Sequence, residues 1–189
     1  MRRRLPAGLL ILAIVTAGLG LGTAADAAKP KPKAAQAKRK CSSLGMSARS
    51  LTPLKAPAKV RLMHHQILEA AATCDFKRLQ RLALQGRKQF DFTFGDEKWP
   101  GPYWERAEAK GGTFLRRMMQ VMRLDFAKDG RTYVWPAAAA RSASEEDWEG
   151  LIPMFGERQM VVFRDYGGYT DARVGITEDG DWIFAVDGD

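Results

Sequence analysis

The chain has 189 residues, 46% of them hydrophobic and 28% charged, a length that holds one domain once any targeting segment is set aside. Its formal charge of +8 is unevenly placed: nine of the 30 basic residues and one of the 22 acids fall in positions 1–40, leaving 21 of each in 41–189. A formally neutral folded part argues against a nucleic-acid-binding domain, whose basic patch belongs to the fold itself.

Residues 1–27 read as an export signal. Arg2, Arg3 and Arg4 give a positive start, Leu5 to Leu21 is an uncharged apolar run, and Ala25-Asp26-Ala27 supplies a small-x-small cleavage pattern before Ala28. An uncleaved anchor needs about 20 apolar residues. Here Pro6, Gly8, Gly18 and Gly20 interrupt the run, and the cleavage pattern follows at once, which favours removal and a protein without a membrane span. Export places the chain in the periplasm or outside the cell.

Residues 28–56 form a basic Pro/Lys/Ala-rich spacer and an irregular entry to the domain. Lys29, Lys31, Lys33, Lys38, Arg39 and Lys40 stand there without an acid. This composition gives an extended linker. The alternative is contact between Lys29–Lys40 and an anionic envelope surface, to which each basic residue adds about 1 kcal/mol. Cys41 and Cys74, the two cysteines of an exported chain, suggest a structural disulfide.

The domain occupies 57–189. Apolar residues at Val60, Met63, Ile67, Ala71 and Cys74 recur in steps of three and four and predict a helix over about 58–73. Asp75 can cap a second helix, 76 to about 85, ended by Gly86. Phe90, Phe92 and Phe94 alternate with Asp91 and Thr93, the period-two pattern of a half-buried strand. A short helix is expected from Pro102 to Gly111-Gly112, and Thr113 is placed to cap the next, with Leu115, Met118, Met119 and Met122 as an apolar stripe suited to the core.

Arg131 to Trp135 reads as a strand stopped by Pro136. Ser144 precedes Glu145, Glu146 and Asp147 in a capping arrangement that starts a helix through Trp148, Leu151 and Ile152. Gln159 to Arg164 (QMVVFR) has strand composition. The sequence then predicts a hairpin, 172–177 and 181–186, around a turn at Glu178-Asp179-Gly180. The sum is one α+β domain, helices packed on a curved antiparallel sheet.

Two stretches add a resemblance. ILEAAATCDFKRLQRLA (67–83), followed by QFDFTFG and PYWERAE, resembles the opening of the nuclear transport factor two-like cone fold, which implies a cone-like sheet and no particular activity. YVWP (133–136) with RVGITEDGDWIFAVDGD (173–189) resembles uncharacterised exported bacterial proteins and implies no chemistry.

Catalytic constellations are sparse. His64 and His65 are the only histidines, and adjacent helical positions point about 100° apart, which suits a core residue better than a metal pair. No Gly-x-Ser-x-Gly turn and no Gly-rich phosphate loop is present. Asp179, Asp181, Asp187 and Asp189 lack the order of a calcium loop, so no metal and no cofactor is expected. The candidate ligand-binding residues are Asp91, Phe92, Asp96, Glu97, Trp99, Tyr103 and Trp104, aromatics that can stack on a sugar beside carboxylates. The expected function is a non-catalytic domain of the cell envelope binding a small ligand or an envelope protein. The alternatives are a carboxylate-based enzyme acting on cell-wall sugar, which needs two facing carboxylates, and a purely structural envelope component.

Overall fold

The computed structural model describes residues 41–49, 53–85 and 89–188, which belong to one compact unit. The signal reading, the Lys29–Lys40 surface contact, Gly86 and Asp189 lie outside the described residues.

Helix α1 (Ala58–Ala72) buries Val60, Met63, Ile67 and Ala71, the expected face. It ends in a Schellman motif: the Cys74 N–H donates to Ala71 O (3.0 Å) and the Asp75 N–H to Ala70 O (2.8 Å), with Cys74 itself at φ 54°. Asp75 then caps α2 (Phe76–Leu84), accepting from the Arg78 N–H at 2.9 Å. Cys74 bonds to Cys41, their Cα atoms 6.2 Å apart, so the disulfide ties the entry segment to the corner between α1 and α2.

Helix α3 (Pro100–Ala109) starts two residues earlier than its sequence suggests, because Pro100 fits the first helical position, where no N–H is needed. Gly111 at φ 94° reverses the chain, and a Cβ on Gly112 would meet Ala107 O at 2.9 Å. Helix α4 (Phe114–Val121) follows with Met118, Met119 and the adjoining Met122 in the core. Thr113 precedes it, but makes no capping bond; Glu108 of α3 bonds the Leu115 N–H instead.

Four strands form an antiparallel sheet in the order β1-β2-β3-β4: β1 (Ala127–Asp129), β2 (Thr132–Trp135), β3 (Arg173–Thr177) and β4 (Trp182–Val186). Strand β1 was not legible as a strand; it pairs with β2 across a turn at Gly130, φ 60°. The β3–β4 hairpin and its turn match the sequence reading. Tyr133, Trp135, Val174, Ile176, Trp182 and Ala185 share a core with α1–α4. On the opposite face the Phe184 ring lies over Gly175, where an added Cβ would stand 2.2 Å from it.

Two expectations are corrected. Residues 159–164 are helical, part of α7 (Glu157–Asp165). Met160 and Phe163, three apart, face a second apolar cluster with Ala138, Leu151 and Tyr169, while Val161 is exposed; burial on one helical face overrides the strand preference of Val161-Val162. The expected helix through Ile152 is two helices, α5 (Glu145–Glu149) and α6 (Ile152–Phe155), with Pro153 in the first turn of the second. Ser144 caps α5 in a reciprocal box with Asp147, as its sequence indicates. The domain is α+β, helices on an antiparallel sheet.

Candidate functional site

The Phe90–Phe94 stretch places the site. It meets the β4 edge for one residue: the Asp91 N–H donates to Ile183 O (3.2 Å) and Asp91 O accepts from the Ala185 N–H (2.9 Å), a parallel bridge rather than the full strand expected. The alternation still holds at that point, with Phe90 and Phe92 buried and Asp91 exposed. Further along, the chain departs from β4, and Phe94 stands 72% exposed.

This departure opens a groove of about 280 Å³ between the Phe92–Gly95 segment, α3 and the start of α4. Phe92, Phe94, Tyr103, Trp104 and Phe114 supply aromatic walls, and Arg117 and Asp187 are its charged lining. Phe92 and Tyr103 meet edge-to-face at 5.5 Å, and Trp104 packs against both Phe92 (6.1 Å) and Phe114 (5.7 Å). Trp104 is only 1% exposed, so it is the floor of the groove and part of the core, continuous with Phe90 and Trp182. The turn at Gly111-Gly112 brings Thr113 and Phe114 to the rim.

The ion pair comes from distant parts of the chain. Arg117 on α4 bonds Asp187, just after β4, through Nη2, and its Nη1 lies 3.6 Å from Asp171 ahead of β3. Its Nε is buried and has no partner. Burial pushes the Asp187 carboxyl above its ordinary pKa; Arg117 opposes this and Asp171 adds to it. Nearby, burial raises the Tyr169 hydroxyl, which donates to Ala172 O at 2.9 Å and stays protonated.

Of the seven candidate residues, the groove gathers Phe92, Tyr103 and Trp104. Trp99 is 56% exposed at the entry to α3 and does not line it. Asp91 faces a separate recess of about 360 Å³ with Arg173 and Phe184, on the other side of Phe94. Asp96 is exposed, and Glu97 is held at 2.8 Å by Arg106 on the surface. The three carboxylates therefore do not converge on the aromatic walls. Arg117 and Asp187 were missed as a pair because 70 residues separate them, and Asp187 entered the sequence reading only among the four C-terminal aspartates weighed against a calcium loop. A wider hollow of about 540 Å³ lies elsewhere, between Pro53–Lys55 and Met122–Phe126, with Phe126 its one aromatic.

His64 is a core residue. Its Nε2 lies 2.7 Å from Met122 O and therefore carries the hydrogen, its ring packs on Trp135, and burial lowers its pKa. Among the described residues no group of three or more His, Cys, Asp or Glu side chains is arranged to hold a metal, and no helix is long and apolar enough to cross a membrane. No family model, curated protein or solved structure matches the chain.

Proposed function

We propose that this is an exported, ligand-binding domain of the cell envelope, and that the aromatic groove is its ligand seat. The observation that carries the reading is the convergence of five aromatic side chains, with Phe94 exposed, Tyr103 half-buried and Phe92, Trp104 and Phe114 buried, and the Arg117–Asp187 pair around a recess of about 280 Å³. Ligand sites are concave, largely apolar and furnished with a few placed polar groups. Such sites usually hold about 300 to 1,000 Å³, and a recess of about 280 Å³, just under that range, suits a compact ligand, the size of a single ring with its substituents. Export is supported by the signal pattern of 1–27 and by the Cys41–Cys74 disulfide, a bond that persists in oxidising compartments. The groove lining holds one carboxylate, Asp187, which favours binding over the two-carboxylate chemistry of glycoside hydrolysis.

The test is a small-molecule screen followed by NMR on the Trp104 indole, in wild type and Phe94→Ala. Phe94 is exposed, so its truncation leaves stability within about 0.5 kcal/mol. The expected result is saturable perturbation of Trp104, weakened at least tenfold in the variant. Hydrolysis of wall material without any effect of groove variants would overturn the reading.

A further inference from the structure

The sign of the ligand's charge can be read from the groove, taking the groove as the ligand seat. Arg117 does not offer a free face to an anion: its two terminal nitrogens already meet Asp187 and Asp171, and its Nε is buried. One guanidinium thus serves two carboxylates. The carboxylate that lines the groove, Asp187, has a 28% exposed side chain and makes its bond to Arg117 through Oδ2. No other acid and no Lys stands on the lining. Around this negative end stand Phe92, Phe94, Tyr103 and Phe114, and ring faces attract cations through their quadrupoles.

We propose that the groove selects a small organic cation, an ammonium group carried on an apolar body, with Asp187 as its counter-ion and the aromatic walls around it. A cation relieves the crowding of Asp171 and Asp187 on one arginine, whereas a carboxylate ligand has to displace Asp187 and add a third negative charge. The apolar body lies against the ring edges of Phe92 and Tyr103, and Phe94 closes over it from the solvent side.

Three probes of one shape separate charge from shape: phenethylammonium, 2-phenylethanol and phenylacetate, each titrated at pH 7 into the ¹⁵N-labelled full chain while the Trp104 indole is followed. Phenethylammonium is expected to bind at least tenfold more tightly than either of the others. Asp187→Asn is expected to bring it down to the level of the alcohol. The wild-type protein gives an independent readout. The charged groups acting on Asp187 are Arg117 on α4 and Asp171 ahead of β3; the Tyr169 hydroxyl, on which Asp187, Asp171, Arg117 and Arg173 all act, is neutral. As pH falls, Asp187, whose carboxyl burial holds above its ordinary pKa, loses its charge while the ammonium probe keeps its own, so ammonium binding weakens and alcohol binding does not change. Equal affinity for all three probes, a preference for phenylacetate, or an undiminished preference in Asp187→Asn overturns the inference and leaves the groove as a charge-blind ligand seat. Failure of all three probes to perturb Trp104 overturns the inference and the ligand-seat reading together.

Discussion

Glu108 shows how one buried charge organises its surroundings. It is 2% exposed and accepts three bonds: the Ser42 N–H at 2.6 Å, the Ser42 hydroxyl at 3.0 Å and the Leu115 N–H at 3.0 Å. It therefore fastens the disulfide-bearing entry segment to α3 and caps α4, at whose N-terminus a negative charge is favoured. Glu108→Gln replaces one acceptor with an NH₂ group facing a donor, and is expected to cost about 1.5–3 kcal/mol in urea unfolding. His64 makes a different demand. Burial lowers its pKa below the ordinary value of about 6.5. As pH falls, the unfolded chain takes up the proton first, so this contribution to stability is complete above about pH 6.5 and is lost as pH drops toward the folded pKa. His64→Gln, which keeps a donor for Met122 O, is expected to flatten that part of the stability–pH curve between pH 7 and 5; an unchanged slope would show that other groups govern it.

At the level of elements, the corner between α1 and α2 combines a Schellman motif with a disulfide. Closing a loop whose ends stand 33 positions apart in sequence is worth about 4 kcal/mol in the chain-entropy model, an upper figure because strain subtracts from it. The double substitution Cys41→Ser, Cys74→Ser is expected to lower unfolding stability by about 2–4 kcal/mol, measured by urea titration, with the same loss on reducing the wild type. The entry segment should loosen first, since Ser42, Ser43 and Gly45 hold it through bonds that the bridge positions: the Ser43 hydroxyl donates to Ala71 O at 2.7 Å and the Gly45 N–H to Ala72 O at 3.4 Å. Helix α7 is the instructive error among the elements. Its Val161-Val162 pair favours a strand, yet Gly167 at φ 78° and the bonds Gly167 N–H to Arg164 O (2.9 Å) and Gly168 N–H to Phe163 O (2.9 Å) make a helix C-terminus. The Tyr166-Gly167-Gly168 signal was present in the sequence and outweighs a dipeptide's propensity. Strand β1 had a signal as well, the Asp129-Gly130 turn, but its three residues carry too little alternation to be read as a strand.

Over the whole molecule, charge is segregated along the chain: Lys and Arg exceed Asp and Glu by 17 to 9 in 41–131 and fall short by 4 to 12 in 132–189. The fold brings the two signs together at both ends of the sheet. Arg117 meets Asp171 and Asp187 beside the groove, and Lys128 and Arg131 meet Glu178 and Asp179 at the hairpin tip. Exposed pairs contribute little singly and are screened by salt. The urea midpoint is therefore expected to fall modestly between low salt and about 0.5 M NaCl, and Arg117→Gln, which leaves Asp171 and Asp187 with a mutual repulsion that salt screens, is expected to reduce that dependence more than Arg141→Gln, whose side chain is 92% exposed and contributes little. Equal salt dependence in both variants would count against a special role for the groove pair.

The sequence alone determined the local features. The faces of α1 and α4, the caps at Asp75 and Ser144, the closing hairpin and the cysteine pair all follow from periodicity, short-range hydrogen bonding or composition, interactions that operate within a few residues or, for the disulfide, need only two thiols in an oxidising setting. The aromatic walls were legible in part for the same reason, since Phe92, Tyr103 and Trp104 stand close together in the chain. Tertiary structure alone decided which carboxylate belongs with them. Asp91, Asp96 and Glu97 are nearest in sequence yet point to another recess, to solvent and to Arg106. Asp187 reaches the groove because β4 runs beside the Phe90–Asp91 segment for a single bridge and then diverges from it, and a juxtaposition made by a sheet edge leaves no trace in local sequence.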